Sequence, residues 1–182
     1  MSGDRMLLRE KLAPFLLTAV VIIIDQVTKS LIAANWPIGA IIKKLFVDES
    51  GDGLLEIWHV RNKVVAFSIG RDLPESVRPF LFIVLPLVVL GFLIWYYMTS
   101  SEFTRLQRWA IAGIVGGGLG NLTDRILRPD GVVDFISVKF YGLFGFERWP
   151  TFNVADSSVV VCVLLWLLSI LISPNEWRSK KK

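Results

Sequence analysis

Asp25, Asp124, Asp134 and Asp156 are the residues best placed to do chemistry, because each carboxylate stands inside or beside apolar sequence. Charge is expensive in such surroundings and needs a reason. Two carboxylates held together can share a proton, so that one takes a proton from water while the other polarises a carbonyl. Asp25 and Lys29 are four apart and lie on one helical face. They either neutralise each other and fix helix packing, or they sit beside an active site. Asn121, Asp124 and Arg125 share a face at i, i+3 and i+4, which suits an interfacial ion pair or a larger polar network. Asp134 is flanked by Val132, Val133, Phe135 and Ile136. If these pack, desolvation raises its pKa; a solvent-facing acid on a strand edge is the simpler alternative. Asn153 is a good helix N-cap and Asp156 falls at the third helical position, so this motif alone reads as a capping pair.

Other chemistries find little material. His59 is the only histidine and Cys162 the only cysteine, so no internal disulfide, no metal cluster and no cofactor is expected. Asp48, Ser50, Asp52 and Gly53 imitate half of a calcium loop, but the twelfth position is His59 where a bidentate Glu is needed; a turn is expected instead. Lys29 and Ser30 suggest a Ser/Lys hydrolase, yet adjacent helical residues point apart. The glycines from Gly113 to Gly120 lack nucleotide-loop spacing and a preceding strand, and are expected to let helices approach closely.

The elements that must position these groups are membrane helices. The 182-residue chain is 53% hydrophobic, and its mean hydropathy is +0.56. Apolar stretches of about 20 residues, enough to cross a bilayer, run over 13–36, 79–98, 107–127 and 154–173. The third is the least hydrophobic. The net charge of +4 comes from basic residues scattered beside apolar runs, not from a nucleic-acid patch. Their density places both termini in the cytoplasm, with Trp36, Trp58, Trp149 and Trp177 at interfaces. Asp25 and Lys29 interrupt the first apolar core, which therefore reads as a retained helix and not a cleaved leader. Between the first two spans, 41–47 and 54–60 read as a β-hairpin turning at 48–53. The expected fold is one membrane-embedded domain over 1–182: four transmembrane helices with a small extracytoplasmic β-subdomain between the first and second.

This topology changes the weight of the motifs. The third helix runs outward and the fourth inward, which brings Asp124, Asp134 and Asp156 to one outer interface. Asp25 lies about 15 Å below the outer end of its own helix, at about 1.5 Å per residue. Carboxylates gathered at one depth suit a hydrolase. A small transporter using the Asp25/Lys29 pair is the rival reading, and it would need its acids along a path through the membrane.

The motifs, in this order, resemble those of the lipoprotein signal peptidase (signal peptidase II) family. They are Asp25-Gln26-Val27-Thr28-Lys29, Asn62 through Phe67, Gly120-Asn121-Leu122-Thr123-Asp124-Arg125, Val132-Val133-Asp134-Phe135 and Phe152-Asn153-Val154-Ala155-Asp156. Val64 departs from the family's usual glycine, and the stretch from Asp134 to Asn153 is long for the family. The resemblance implies Asp134 and Asp156 as a catalytic dyad. It implies supporting roles for Asp25, Lys29, Asn62, Asn121, Asp124, Arg125 and Asn153. It also implies a substrate, a prolipoprotein carrying diacylglycerol on its cysteine, cut at the outer face of a bacterial inner membrane. The enzyme is expected to act as a monomer among membrane lipid, with no nucleic-acid partner. The helix N-terminus favours ionised Asp156 as base, and apolar neighbours favour protonated Asp134 as acid. Phe135, Phe140 and Phe144 are candidates to shield the cleft or touch acyl chains.

Overall fold

A computed structural model describes residues 8–63 and 74–172. The elements in chain order are α1 (Leu8–Leu12), α2 (Phe15–Asn35), β1 (Ile41–Val47), β2 (Gly53–Asn62), α3 (Leu85–Thr99), α4 (Arg105–Leu127), β3 (Val132–Val138) and α5 (Val154–Ile172). A π-helical turn, Phe80–Val84, leads into α3. Pro86 follows it, and proline has no N–H to continue a regular α ladder. Leu85 N–H instead donates to Phe80 O.

The helices are inside out relative to a water-soluble bundle. On α2 the buried residues are Thr18, Val21, Asp25, Lys29 and Ile32, spaced three and four apart along one face. Asp25 and Lys29 are fully buried, while Leu16 is 68% and Ile23 60% exposed on the opposite side. Polar groups inward and bare aliphatic groups outward suit lipid as the solvent, because lipid cannot satisfy a charge. Among the described residues, three helical stretches are long and apolar enough to cross a membrane, namely Leu8–Asn35, Phe80–Thr99 and Val154–Ile172.

Helix α4 is different and central. It packs on α5, α2 and α3, and its buried residues include Ala110, Ala112, Gly113, Gly116, Gly117 and Gly120. A helix enclosed by three neighbours has little lipid to face, so it can be far less hydrophobic than they are. The neighbours lie close enough to bond its backbone. Thr18 Oγ1 donates to Ala112 O at 2.6 Å, and Ser158 Oγ to Gly113 O at 2.9 Å. Thr104 begins α4 with a reciprocal capping box to Gln107, as a Thr-x-x-Gln start favours.

The hairpin appears at the expected residues, turning through Asp48–Asp52. The sheet differs from expectation in one respect: it is not made only from the segment after the first span. β3, from the connection between α4 and α5, adds antiparallel to β2 and gives the order β1-β2-β3. The apolar run around Asp134 explains this. Val133 and Phe135 pack with Ile32 of α2, seating β3 across the bundle end. Phe152 then bridges Ile136 and delivers the chain to α5.

The α4 glycines yield a test. A Cβ on Gly117 would run into the Ala155 carbonyl and Val159, whereas one on Gly118 would meet only the tip of Leu90. Gly117→Ala is expected to cost about 1–3 kcal/mol by overpacking, and Gly118→Ala clearly less. Thermal unfolding in detergent reads the difference, and equal losses would contradict this packing.

Candidate active site

Three fully buried ions, Asp25, Lys29 and Asp124, form the foundation of the site. Lys29 Nζ lies 2.8 Å from Asp25 Oδ2 and 3.4 Å from Asp124 Oδ2, and donates to Asn121 Oδ1 at 2.9 Å. Asp25 Oδ1 accepts the backbone N–H of Ala155 at 2.9 Å. Asp124 Oδ2 accepts the backbone N–H of Val133 at 3.0 Å. One cation and two anions therefore tie α2, α4, the start of α5 and the start of β3 together. Both readings of the Asp25/Lys29 spacing hold: the pair neutralises itself, and it stands beneath the candidate site.

The dyad candidates are gathered above this foundation by asparagines. Asn121 Nδ2 donates to Asp156 Oδ1 at 2.7 Å. Asn62 Nδ2, at the end of β2, donates to Asp134 Oδ2 at 3.0 Å. Asn153 touches both acids: its Nδ2 donates to Asp134 Oδ1 at 2.7 Å, and its backbone N–H to Asp156 Oδ2 at 3.1 Å. Its Oδ1 in turn accepts Asp156 N–H at 3.0 Å. This reciprocal bond is the capping pair expected from sequence, so Asp156 caps α5 and faces Asn121 at once. Gly131 makes the β-turn into β3 possible. It has φ +98°, and a side chain there would collide with the Asn62 backbone.

Asp134 is 2% exposed, whereas Asp156 is only partly buried. Burial lifts the Asp134 pKa to about 7, the neighbouring Asp156 charge adds to the rise, and hydrogen bonds from Asn62 and Asn153 oppose it. A carboxyl in this state can hold a proton near neutrality beside a carboxylate that water can reach.

Arg125 behaves differently from the ion pair suggested by its spacing to Asp124. Among the described residues it makes no ion pair with Asp124; Arg128 does, with Nε 3.2 Å from Asp124 Oδ1. The Arg125 guanidinium instead feels the charges of Asp156, Asp134 and Asp124 together. Two contributors escaped the motif reading. Gln26 Nε2 donates to Asp25 Oδ2, Gly120 O and Asp124 Oδ1 at 3.0–3.1 Å. Arg128 also donates to Ser30 Oγ at 3.1 Å. The i, i+4 spacing of Asp124 and Arg128 was one available signal; the place of Gln26 inside the Asp25-Gln26-Val27-Thr28-Lys29 motif was the other. Ser30 faces outward, away from the buried Lys29 ammonium, so no Ser/Lys pair forms.

Other candidates settle elsewhere. Asp48 accepts hydrogen bonds from Ser50 and Asp52 N–H, and the Lys139 ammonium bridges Asp48 and Asp52. Those bonds, led by Lys139, hold the Asp48 carboxyl well below the usual range. Phe135 is core, Phe140 stacks on Trp149 at 4.9 Å, and Phe144 is 80% exposed at a turn tip. Of these three rings only Phe144 is free to meet acyl chains. Val64, Ala66, Phe67 and Trp177 lie outside the described residues.

Residues 17–172 match the family model described as signal peptidase (SPase) II. A lipoprotein signal peptidase of Treponema pallidum (strain Nichols) is 40% identical over 172 residues, covering 94% of this chain and 90% of the relative. One of Treponema denticola is 50% identical over 149 residues, covering 82% and 83%. A solved structure described as a bacterial membrane enzyme, determined in meso at 2.3 Å, aligns with a TM-score of 0.72 at 30% identity, covering 89% of each chain.

Two measurements test the site. Lys29→Met would leave Asp25 and Asp124 buried beside no ammonium, and should cost about 3–5 kcal/mol; adding Asp25→Asn should recover part of it. Detergent melting curves check both, and an unchanged melting point for Lys29→Met would contradict the foundation described. The second concerns pH. Between the ordinary carboxyl value of 3.8 and about 7, folded Asp134 holds a proton that the unfolded chain has lost. Stability must therefore fall as pH rises through that window and level off above it. Asp134→Asn should flatten this slope relative to wild type; parallel melting-point profiles would contradict it.

Proposed function

The chain belongs to the signal peptidase II family and is a peptidase of the bacterial inner membrane, and we propose that it cuts diacylglyceryl-modified prolipoproteins before their lipidated cysteine with Asp134 and Asp156 as an aspartic dyad. The observation that carries this reading is Asn153, which bonds both carboxylates at once. Family membership implies cleavage of prolipoprotein signal peptides. Neither the relatives nor the geometry supports transport, because Asp25 and Lys29 are consumed in a closed set of contacts.

In the proposed mechanism Asp156, which water can reach, takes a proton from water as the new C–O bond forms at the scissile carbonyl. Asp134 lends its proton to the carbonyl oxygen. Collapse of the tetrahedral adduct breaks the C–N bond; the amine leaves with the proton held by Asp156, and the adduct's hydroxyl proton returns to Asp134. Asn62 and Asn153 keep Asp134 oriented, and Asn121 relays the Lys29 charge toward Asp156. Arg125, within electrostatic reach of all three acids, suits the substrate backbone. Asp25, Lys29 and Asp124 are positioning residues.

The proposal also covers placement. α4 serves as a fourth span, shielded by the other three, and the whole chain acts as one domain and as a monomer among membrane lipid. Both termini are cytoplasmic and the dyad lies at the periplasmic face, where the substrate's lipid fixes the depth of the scissile bond.

The test is a gel-shift cleavage assay with purified protein and diacylglyceryl-modified prolipoprotein. Asp134→Asn and Asp156→Asn, each shown to be folded, should lose at least about 10²–10⁴-fold in rate, the usual worth of general acid–base catalysis. Near-normal cleavage by either variant would overturn the dyad, and no cleavage by folded wild type would overturn the activity.

A further inference from the structure

The chain between Asp134 and Asn153 folds into a second hairpin, whose two arms lead back to the candidate site. Phe152 and Ile136 exchange backbone hydrogen bonds, Trp149 N–H donates to Val138 O, and Phe140 N–H donates to Glu147 O. The tip is Tyr141-Gly142-Leu143-Phe144-Gly145, closed by Gly142 N–H on Phe146 O at 3.0 Å. β3 lies across the bundle end, where Val133 and Phe135 pack on Ile32, so its continuation runs sideways toward the rim of the bundle. From Asp134 to Gly142 the outgoing arm reaches up to about 26 Å, at about 3.3 Å per residue, well over one helix diameter of about 10–12 Å. The return arm enters α5 at Val154, and α5 exposes Val160 and Leu164 on the side that faces lipid. The hairpin is therefore rooted at the membrane surface and continuous with it.

Its two faces are unlike, as alternation along paired strands produces. Lys139 and Arg148 pair across the arms on one face. Both are engaged there, Lys139 with Asp48 and Asp52 and Arg148 with Glu56 and Ser137. Phe140 and Trp149 stack on the other face at 4.9 Å. At the tip Tyr141, Leu143 and Phe144 are 65%, 54% and 80% exposed. Tyr141 and Phe144 also have φ of +53° and +55°, the left-handed region that glycine occupies at less cost. The Lys139 ammonium lies 5.3 Å from the centre of the Tyr141 ring, whereas Leu143 and Phe144 stand bare. An ion-paired face, an aromatic face and a bare apolar tip divide the hairpin as an amphipathic segment in a membrane interface is divided, and Tyr and Trp favour that level.

We propose that this hairpin is a lipid-docking finger, which inserts Leu143 and Phe144 into the outer leaflet beside the bundle and keeps Tyr141 at headgroup level. The inference rests on the function above only for the choice of leaflet. Docked in lipid, the finger braces the two arms that carry Asp134 and Asn153.

The test is electron paramagnetic resonance of the full chain in phosphatidylcholine liposomes, with a nitroxide on Phe144→Cys or, separately, on Leu143→Cys, each in a Cys162→Ala background. Power saturation by oxygen and by a water-soluble nickel chelate should place both labels about 5–10 Å below the lipid phosphates, the depth of interfacial elements. Labels on Glu49→Cys, in the turn of the first hairpin, and on Val160→Cys, on the lipid face of α5, mark water and hydrocarbon. Collision with the nickel chelate as frequent at 143 and 144 as at 49 would overturn the finger. Spin–spin broadening that vanishes on dilution with unlabelled protein would overturn it in favour of contact with a second copy. Burial that requires added prolipoprotein would overturn it in favour of contact with substrate. Prolipoprotein cleavage by wild type in the same liposomes is followed in parallel; its absence would overturn the function and leave the depth measurement standing.

Discussion

A lysine ammonium sealed in an apolar bundle is the constraint on which this structure depends. Lys29 has no access to solvent, and a charge so placed must be fully met or it unfolds its surroundings. Meeting it takes Asp25 from its own helix, Asp124 and Asn121 from α4, and close approach of the two helices. Close approach in turn demands glycine where α4 meets α2 and α5, at Gly113, Gly116, Gly117 and Gly120. Gly120 illustrates the coupling, since a Cβ there would press on the Asp25 carboxylate at 2.8 Å. The ions and the glycine-rich helix are thus one device.

From that device the candidate site inherits its geometry. Asp25 holds the first turn of α5 through Ala155 N–H, and Asp124 holds β3 through Val133 N–H. These are the two segments that carry Asp156 and Asp134. The acids therefore meet because each is one residue from a backbone group bonded to a buried carboxylate. Asn153 completes the closure, and its amide is shared among Asp134, Asn121 and the Val133 carbonyl. A site built this way is rigid at its base, while partly exposed Asp156 remains open to water.

The same arrangement separates the roles of acids that look alike in the sequence. Asp25 and Asp124 are fully buried with every oxygen engaged, and each anchors a backbone N–H of another segment. Asp134 is nearly as buried, but its partners are neutral amides. Neutral donors do not cancel the cost of burial as an ammonium does, and this is why Asp134 retains a proton to about 7. What sets Asp134 apart from Asp25 and Asp124 is the charge of its partners, not its depth.

The sequence by itself determined the helices and the membrane as solvent, because hydropathy, glycine spacing and the cost of intramembrane charge are local properties. With the π-helical turn Phe80–Val84 counted as the start of the second span, the four long helical stretches begin and end within about two residues of their expected bounds. It also determined the hairpin, the α5 capping pair and the Asp25/Lys29 pairing, each set by spacing along one element. Only the tertiary structure decided what distant segments do to one another. It added β3 to the hairpin, linked Gln26 of α2 to Gly120 and Asp124 of α4, and put Phe135 in the core. Each of these depends on which faces meet across chain separations of roughly 10 to 100 residues, and no periodicity within one helix or strand encodes that.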